Sequence, residues 1–381
     1  MKNKFLRGCL SLALPVLLAA CTGPVPPTSA PCQPTYPGVN ANHSRAAQYQ
    51  EALEAFRRKN KMPGAVLLVA SPGDGPWIGS AGYADLERRV PAQPCDRFRV
   101  ASTTKALVGT VVMQLCDEKK MGLDDALADL LPGVNGKIPH AGQITVRQLL
   151  GHTSGIHDYQ EDLNYRLDMF NHPRLTTAKT SADLLRDYVY GKPADFQPGE
   201  RWGYSNSNFN LLERIIEKTE GKPAQQVLAE RLFAPLGMEG YFEARDDAGL
   251  VRGYRDLYDN GTLVSTDAWD PTDDGQGDGG FVGTAHDLYL FSRALFGGKL
   301  VTAASLAEMT TVGVPESEYG LALQYWKVGS HDGWGHAGQA YGFQSWMIYF
   351  PERGVHFVLL VNVSNRPSRE SFAELVESVM P

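Results

Sequence analysis

The sequence predicts an α+β protein: one antiparallel sheet built from N- and C-terminal strands, flanked by the terminal helices, with a mostly helical domain inserted between them. Three observations lead there. Strand-like runs occur at both ends, "GAVLLVA" and "WIGSAGYAD" early, "YGLALQYWKVG", "GFQSWMIYFP" and "GVHFVLLVNVS" late, each bounded by Gly, Pro or charged turns. Between them helical spacing dominates, over 102–118, 145–151, 180–190, 207–220, 223–234 and 285–297, with Gly/Pro loops as punctuation. Amphipathic helices, "AAQYQEALEAFRRKN" and "SRESFAELVESVM", open and close the body. On this reading residues 43–98 and 298–381 make the sheet domain and 99–297 the helical one, and the seam between them is the natural place for a site.

The first 42 residues stand apart. Lys2, Lys4 and Arg7 precede the uncharged "CLSLALPVLLAAC", too short for a permanent span and shaped like a secretory signal over 1–20. Its end, Leu18-Ala19-Ala20-Cys21, resembles a bacterial lipobox, which implies acylation of Cys21; an ordinary cleavage nearby is the alternative. Residues 21–42 carry six prolines between Pro24 and Pro37 and no charge, the composition of an extended tether. Thr22 is not the aspartate that retains such proteins at an inner membrane, so the expectation is an exported lipoprotein of the outer membrane facing the periplasm. Cys32, Cys95 and Cys116 remain in the mature chain. Cys116, on an apolar run, reads as a small buried hydrophobe; Cys32–Cys95 is one candidate bond, and sequence leaves the pairing open.

At 43% hydrophobic residues the 381-residue chain can bury a large core. A net charge of −7 without a long basic run offers no attraction for nucleic-acid phosphates.

Chemistry enters at "VASTTKALVGTVVMQLC", Val100 to Cys116, where Lys105 is the one charged residue among seventeen. Ser102 sits three positions earlier, at the expected start of the helix, so hydroxyl and amine share a face. Burial disfavours a charged amine, and a neutral amine can take a proton from serine. Free N–H groups at a helix start can stabilise an oxyanion. The competing reading has Lys105 reaching solvent and Ser102 only capping the helix.

Further residues decide between these. Ser102 is the only serine followed three residues later by lysine. "YSN" at Tyr204 to Asn206 precedes an amphipathic helix, whereas "YDN" at Tyr258 to Asn260 reads as a hairpin turn. "HAG" occurs at His140, in a loop, and at His336, just before "QAYGFQSWMIYF", where a strand edge is expected. With Ser102-x-x-Lys105, Tyr204-x-Asn206 and His336-Ala337-Gly338 in order, the chain resembles the penicillin-recognising serine enzymes from about residue 45 to 380, with "QLLGHTSGI" and "DGGFVGTAHDLYLFSRALF" as further matching segments. The likeness is to the class C β-lactamase, D-Ala-D-Ala carboxypeptidase and serine esterase branch, because no Ser-Asp-Asn is present.

That resemblance implies a β-lactamase/transpeptidase-like fold and cofactor-free acyl transfer. Ser102 would be acylated, Lys105 and Tyr204 would share the proton traffic, and Asn206 would orient the substrate amide and Lys105. The N–H groups of Ser102 and Gln339 would form the oxyanion hole, with Gly338 allowing close approach. His336 would bind substrate. The third motif departs from the family's Lys-Thr-Gly, and a neutral His336 beside Ala337 should recognise a carboxylate less well, by about 10- to 100-fold, unless Arg252, Arg255 or Arg293 compensates. The expected substrates are small molecules or short peptides: D-peptides first, then esters or β-lactams.

Other chemistries fit less well. No serine has glycine two residues away on both sides, as an α/β-hydrolase elbow requires. "DAWDPTDDGQGDGG" lacks EF-hand spacing and reads as a solvated loop. "HTSGIH" and "HDGWGH" place histidines five apart, which is not a usual zinc spacing. A non-catalytic, membrane-tethered receptor for wall peptides or β-lactams is the alternative of another class.

Overall fold

A computed structural model describes residues 36, 39–40, 42–171, 179–242, 247, 249–267, 277–367 and 369–380. The expected signal segment 1–20, the acylation site Cys21 and Cys32 lie outside the described residues. The strands are β1 (Gly64–Ser71), β2 (Gly75–Asp85), β3 (Val90–Pro91), β4 (Phe98–Arg99), β5 (Tyr241–Phe242), β6 (Tyr254–Asp256), β7 (Leu263–Ser265), β8 (Phe281–Gly283), β9 (Gln324–Val328), β10 (His331–Ala340), β11 (Phe343–Phe350), β12 (Val355–Val361) and β13 (Val363–Ser364). Seven of them form one antiparallel sheet in the order β3-β2-β1-β12-β11-β10-β9. The two ends of the chain meet at its centre, where Leu67 of β1 lies opposite Leu359 of β12. Two three-stranded ribbons, β13-β6-β7 and β4-β8-β5, complete the strands.

The near-continuous apolar character of β1 follows from burial on both faces. Ala65, Leu67 and Val69 pack into a core with Leu53, Phe56, Phe372 and Leu375, while Val66 and Leu68 join a second core with Val108, Val112 and Phe291. The first core belongs to the terminal helices α1 (Ala46–Lys59) and α12 (Arg369–Val379), and the second to the helices on the opposite face. In chain order these are α2 (Thr104–Asp117), α3 (Leu127–Leu130), α4 (Val146–Leu150), α5 (Leu163–Asn171), α6 (Ser181–Tyr188), α7 (Asn206–Glu220), α8 (Ala224–Leu228), α9 (Ala234–Leu236), α10 (Ala285–Phe296) and α11 (Ala303–Met309), before α12 (Arg369–Val379) closes the chain. Capping boxes start α4, α6 and α10 through Thr145, Thr180 and Thr284, and Gly221, with φ +66, ends α7.

Three expectations change. The strand expected over 319–329 shortens to Gln324–Val328, preceded by a 3-10 turn at Pro315–Ser317. The ten-residue β10 was not counted as a strand, because "HDGWGHAGQA" holds three glycines and little β-branched character. Those glycines answer to crowding: a Cβ on Gly335 would lie 1.8 Å from the Met347 carbonyl oxygen. The described end of the tether is docked, with Tyr36 stacked on His286 at 4.3 Å and Asn40 N–H donating to the Pro76 carbonyl at 2.9 Å. Cys95 is disulfide-bonded and Cys116 is a free thiol; the Cys32–Cys95 pairing itself falls outside the described residues.

Candidate active site

Ser102 occupies a 3-10 turn, Ala101–Thr103, directly ahead of α2. Ala101 adopts φ +49, a left-handed conformation that costs a non-glycine residue energy and often marks a functional turn. The turn is clasped to the sheet: Ser345 Oγ lies 2.7 Å from Thr103 Oγ1 and 2.6 Å from the Val100 carbonyl oxygen, and Thr103 Oγ1 is 3.2 Å from the His336 carbonyl oxygen.

Lys105 is wholly buried on α2. It is not stranded there, because an ammonium has three N–H donors and Nζ has three acceptors: Ser102 Oγ at 3.1 Å, Asn206 Oδ1 at 2.8 Å and the Asp278 carbonyl at 2.6 Å. The rings of Tyr204 and Phe209 flank it, with centroids 5.1 and 5.5 Å away. Asn206 opens α7, and its orientation is fixed from both ends, since its Nδ2 donates to Asp158 at 3.0 and 3.3 Å while Oδ1 faces Lys105. Burial pushes the Asp158 carboxyl up to about 6, against the pull of the Gln160 N–H, Lys105 and Asn206.

Tyr204 lies flat against His152, ring centroids 4.2 Å apart. His152 Nδ1 accepts the Ser205 N–H at 3.1 Å, which places the proton on Nε2, and burial holds the ring neutral, well below the usual histidine range.

The third motif lies within β10. β9 pairs with β10 only as far as Gly335, so His336 to Ala340 keep one open edge. There the Ala337 N–H donates to Gln324 Oε1 at 2.9 Å. Residues two apart in a strand point their N–H groups to the same edge, so Gln339 directs its N–H to the open side as well. Gly338 presses on the Ser102 turn: a Cβ there would lie 2.1 Å from the Val100 carbonyl oxygen and 2.9 Å from Ser102 N. Thus the Ser102 N–H and the Gly338–Gln339 backbone are neighbours.

His336 departs from the expected substrate-binding role. Its ring is fully buried, Nδ1 is 2.6 Å from the Ala337 carbonyl oxygen, and Nε2 accepts from the Tyr319 hydroxyl at 2.9 Å. Burial, with Lys105 nearby, lowers it to about 3. It is a neutral support for Tyr319. The cause is strand alternation, which puts residue 336 on the same inward face as Gly338. The three arginines weighed as compensating cations are engaged elsewhere: Arg252 pairs with Asp267 at 2.8 Å, and Arg255 and Arg293 lie over the rings of Tyr341 and Tyr289.

The acidic stretch read as solvated is corrected where it is described. Asp278 is buried, its carbonyl binds Lys105, and its Oδ2 accepts from the Tyr159 hydroxyl at 2.9 Å. Asp158, Tyr159, His152, Tyr319 and Ser345 are the other site residues that sequence reasoning missed; the only signal was that His152 lies within the quoted "QLLGHTSGI" segment and Asp158 and Tyr159 follow shortly after it. Tyr258 is 73% exposed in the β6–β7 turn, whereas the Tyr204 ring lies against Lys105. A groove of about 340 Å³ opens from Tyr204, walled by Trp202, Tyr319, Gln324, Tyr325, Trp326 and Trp346.

Fold and site together define a serine hydrolase built on the β-lactamase and transpeptidase fold. Comparison agrees: residues 49–379 match the family model described as Beta-lactamase, and the chain belongs to that family. Among solved structures it is similar to a D-stereospecific amidohydrolase from Streptomyces sp., at 30% identity and TM-score 0.76, covering 87% of this chain and 98% of that one. Among curated proteins it is similar to PbpX of Bacillus subtilis (strain 168), named as a penicillin-binding protein, at 30% identity over 64% of this chain and 57% of that protein. A D-aminopeptidase of Cereibacter sphaeroides (strain ATCC 17029 / ATH 2.4.9) is 26% identical over 82% of this chain and 59% of its own length. The chain therefore spans a little over half the length of these two curated relatives.

The buried titratable groups imply a pH optimum of stability. Burial raises Glu213 to about 8 and Asp96 and Asp158 to about 6, so the native carboxyls keep protons that the unfolded chain has released. That stabilisation is complete below the ordinary carboxylate range and is lost as pH rises through the native values. Histidines act oppositely: His336 at about 3, His286 and His356 at about 4, and the strongly lowered His152 refuse protons that the unfolded chain binds below 6.5. Of these groups only Glu213 titrates between pH 6.5 and 8, where stability should fall by roughly 1.4 kcal/mol per pH unit. Urea midpoints are expected to peak near pH 6.5, with the decline toward pH 8 largely removed in Glu213→Gln. A decline of the same slope in that variant would contradict the assignment.

Proposed function

We propose that the protein hydrolyses short D-configured peptides and amides, in the manner of a D-Ala-D-Ala carboxypeptidase-like D-stereospecific peptidase, through an acyl-enzyme on Ser102. The carrying observation is the acceptor set around Lys105. Two N–H directions of Nζ are committed to Asn206 Oδ1 and the Asp278 carbonyl, at 2.8 and 2.6 Å. In its neutral form the amine then directs its lone pair at Ser102 Oγ, 3.1 Å away, and takes the hydroxyl proton as Oγ bonds to the scissile carbonyl carbon. The oxyanion is stabilised by the Ser102 and Gln339 N–H groups. Tyr204, over Lys105, passes a proton to the departing nitrogen. Water then attacks the ester, its proton returns through Tyr204 and Lys105, and Ser102 Oγ leaves as the hydroxyl.

The D-preference rests on the amidohydrolase and D-aminopeptidase likenesses. The groove beside Tyr204 is largely aromatic and also lined by Glu318 and Arg369, which pair with each other at 3.6 Å, and His336 is turned away from it. With that guanidinium already facing a carboxylate, neutral leaving groups are favoured over carboxylate-bearing ones. Ester hydrolysis is the second reading, favoured by the same neutral third motif.

The test is kcat/KM for matched D- and L-alanyl anilides, D-alaninamide, a D-Ala-D-Ala peptide, a nitrophenyl ester and a cephalosporin, with Ser102→Ala as blank. Expected are D over L by about 100-fold or more and neutral amide over the carboxylate-bearing peptide by about 10- to 100-fold. Equal D and L rates, esters ahead by orders of magnitude, or turnover surviving in Ser102→Ala would each overturn part of this reading.

A further inference from the structure

Proton transfer by Lys105 depends on an acceptor that is a backbone carbonyl in a loop, that of Asp278. Such a group stays put only if the chain around it is held. After Asp278 the hold is plain: Thr104 Oγ1 accepts the Phe281 N–H at 3.2 Å, and the Val100 N–H donates to the Phe281 carbonyl at 3.1 Å. Before Asp278, among the described residues, the backbone is held by the Glu213 side chain, while the Tyr159 hydroxyl holds the Asp278 carboxylate. The Gly277 N–H donates to Glu213 Oε2 at 2.6 Å, and a Cβ on Gly277 would come within 2.9 Å of both the Glu213 Cβ and the Phe209 carbonyl oxygen. The backbone therefore lies directly on α7, with no space between.

Glu213 is itself fixed from two neighbouring helices. Ser181 of α6 donates to its Oε2, Gln225 of α8 donates to Oε1 at 3.3 Å, and Asn206 lies two turns earlier on the same face of α7. The charged and titratable groups that influence it are Glu217 of α7 and Asp278, both acidic. One helix thus grips the lysine twice, through Asn206 directly and through Glu213, Gly277 and the Asp278 carbonyl indirectly.

We infer that Glu213 is a positioning residue for the acylation step, one that sets where the Asp278 carbonyl meets Lys105 and so aims the amine at Ser102. The inference rests on the reading of Lys105 as the base. It is supported by the Glu213 carboxyl changing charge near neutrality, at about 8 through burial. Ionisation there alters both the pull on the Gly277 N–H and the field across Asp278, so the step acquires a pH dependence unrelated to substrate.

The experiment compares wild type, Glu213→Gln and Glu213→Ala by kcat and KM for a nitrophenyl ester between pH 6 and 9, together with amide hydrogen exchange of the peptide carrying residues 277–280. Glu213→Ala is expected to lower kcat by roughly 10- to 100-fold with KM changed less than about threefold, since small displacements of a catalytic group cost that much. Glu213→Gln, which keeps an acceptor of the same shape, should restore kcat to within about threefold. It should also lack the inflection near pH 8 expected of wild type. Exchange at 277–280 should speed up in Glu213→Ala and not in Glu213→Gln. Wild-type kcat in Glu213→Ala, or the inflection persisting in Glu213→Gln, overturns the inference. Should wild type turn over no ester, the reading of Lys105 fails, and exchange alone then decides whether Glu213 anchors the segment: unchanged exchange in Glu213→Ala ends the proposal.

Discussion

Ser102→Ala is expected to lower kcat/KM by about 10⁴-fold or more, Lys105→Met by about 10²- to 10⁴-fold, and the double variant by no more than the worse single change. The two side chains form one device, 3.1 Å apart, so removing either leaves the other without its task. Their structural consequences should differ sharply. Ser102 is half-buried and its loss leaves Lys105 two acceptors, so folding stability should hardly move. Lys105→Met removes the donor from Asn206 Oδ1 and from the Asp278 carbonyl, at a cost of roughly 1–3 kcal/mol for each buried acceptor left unpaired. It also removes the cation that restrains Asp158 and Asp278 against the upward push of burial. Lys105→Met should therefore be both inactive and less stable, with the stability deficit shrinking as pH falls and those carboxyls protonate. Steady-state rates, ester burst amplitudes and urea midpoints at pH 5.5 and 8 measure all of this; additive rate losses would show that the two residues act separately.

The parts of the site that were legible in sequence are those whose partners are close along the chain or sit in a recognisable order. Ser102 and Lys105 are three residues apart on an apolar run, and Tyr204 and Asn206 precede a strongly amphipathic helix. The central strands were legible because burial on both faces leaves them mostly apolar. The rest depends on loops crossing. Asp158 reaches Asn206 across 48 positions, and Asp278 reaches Lys105 across 173. Nothing local in an Asp- and Gly-rich stretch announces that one of its aspartates will be buried beneath a tyrosine. β10 was illegible for the opposite reason, since its glycines weaken the strand signal while close approach to the nucleophile turn and to β11 requires them. The inward turn of His336 follows from that approach: once Gly338 must face the turn, the residue two before it faces inward too. The seam between sheet and helices is thus held by backbone contacts and neutral rings, leaving the Lys105 amine aimed at Ser102.

Gly338→Ala is the second substitution expected to have a large effect, and it separates a backbone role from a side-chain role. The added methyl would lie 2.1 Å from the Val100 carbonyl oxygen, 2.8 Å from Ser345 Oγ and 2.9 Å from Ser102 N. Two of these three neighbours are backbone atoms, and the third is bonded to Val100 at 2.6 Å, so none can rotate out of the way. Either the Ser102 turn or β10 must retreat, and both proposed oxyanion donors ride on those segments. Losing one such donor costs about 10²- to 10³-fold in kcat, while overpacking of this kind costs about 1–3 kcal/mol in stability. Gly133→Ala, at a position with open space around its Cβ, is the control for a harmless glycine replacement. Gln339→Ala completes the argument, because it deletes an exposed side chain and keeps the N–H on the open edge of β10. It should retain kcat to within about threefold if the donor is the backbone amide. A Gly338→Ala enzyme with wild-type kcat, or a Gln339→Ala enzyme as damaged as Gly338→Ala, would place the oxyanion somewhere other than between Ser102 and β10.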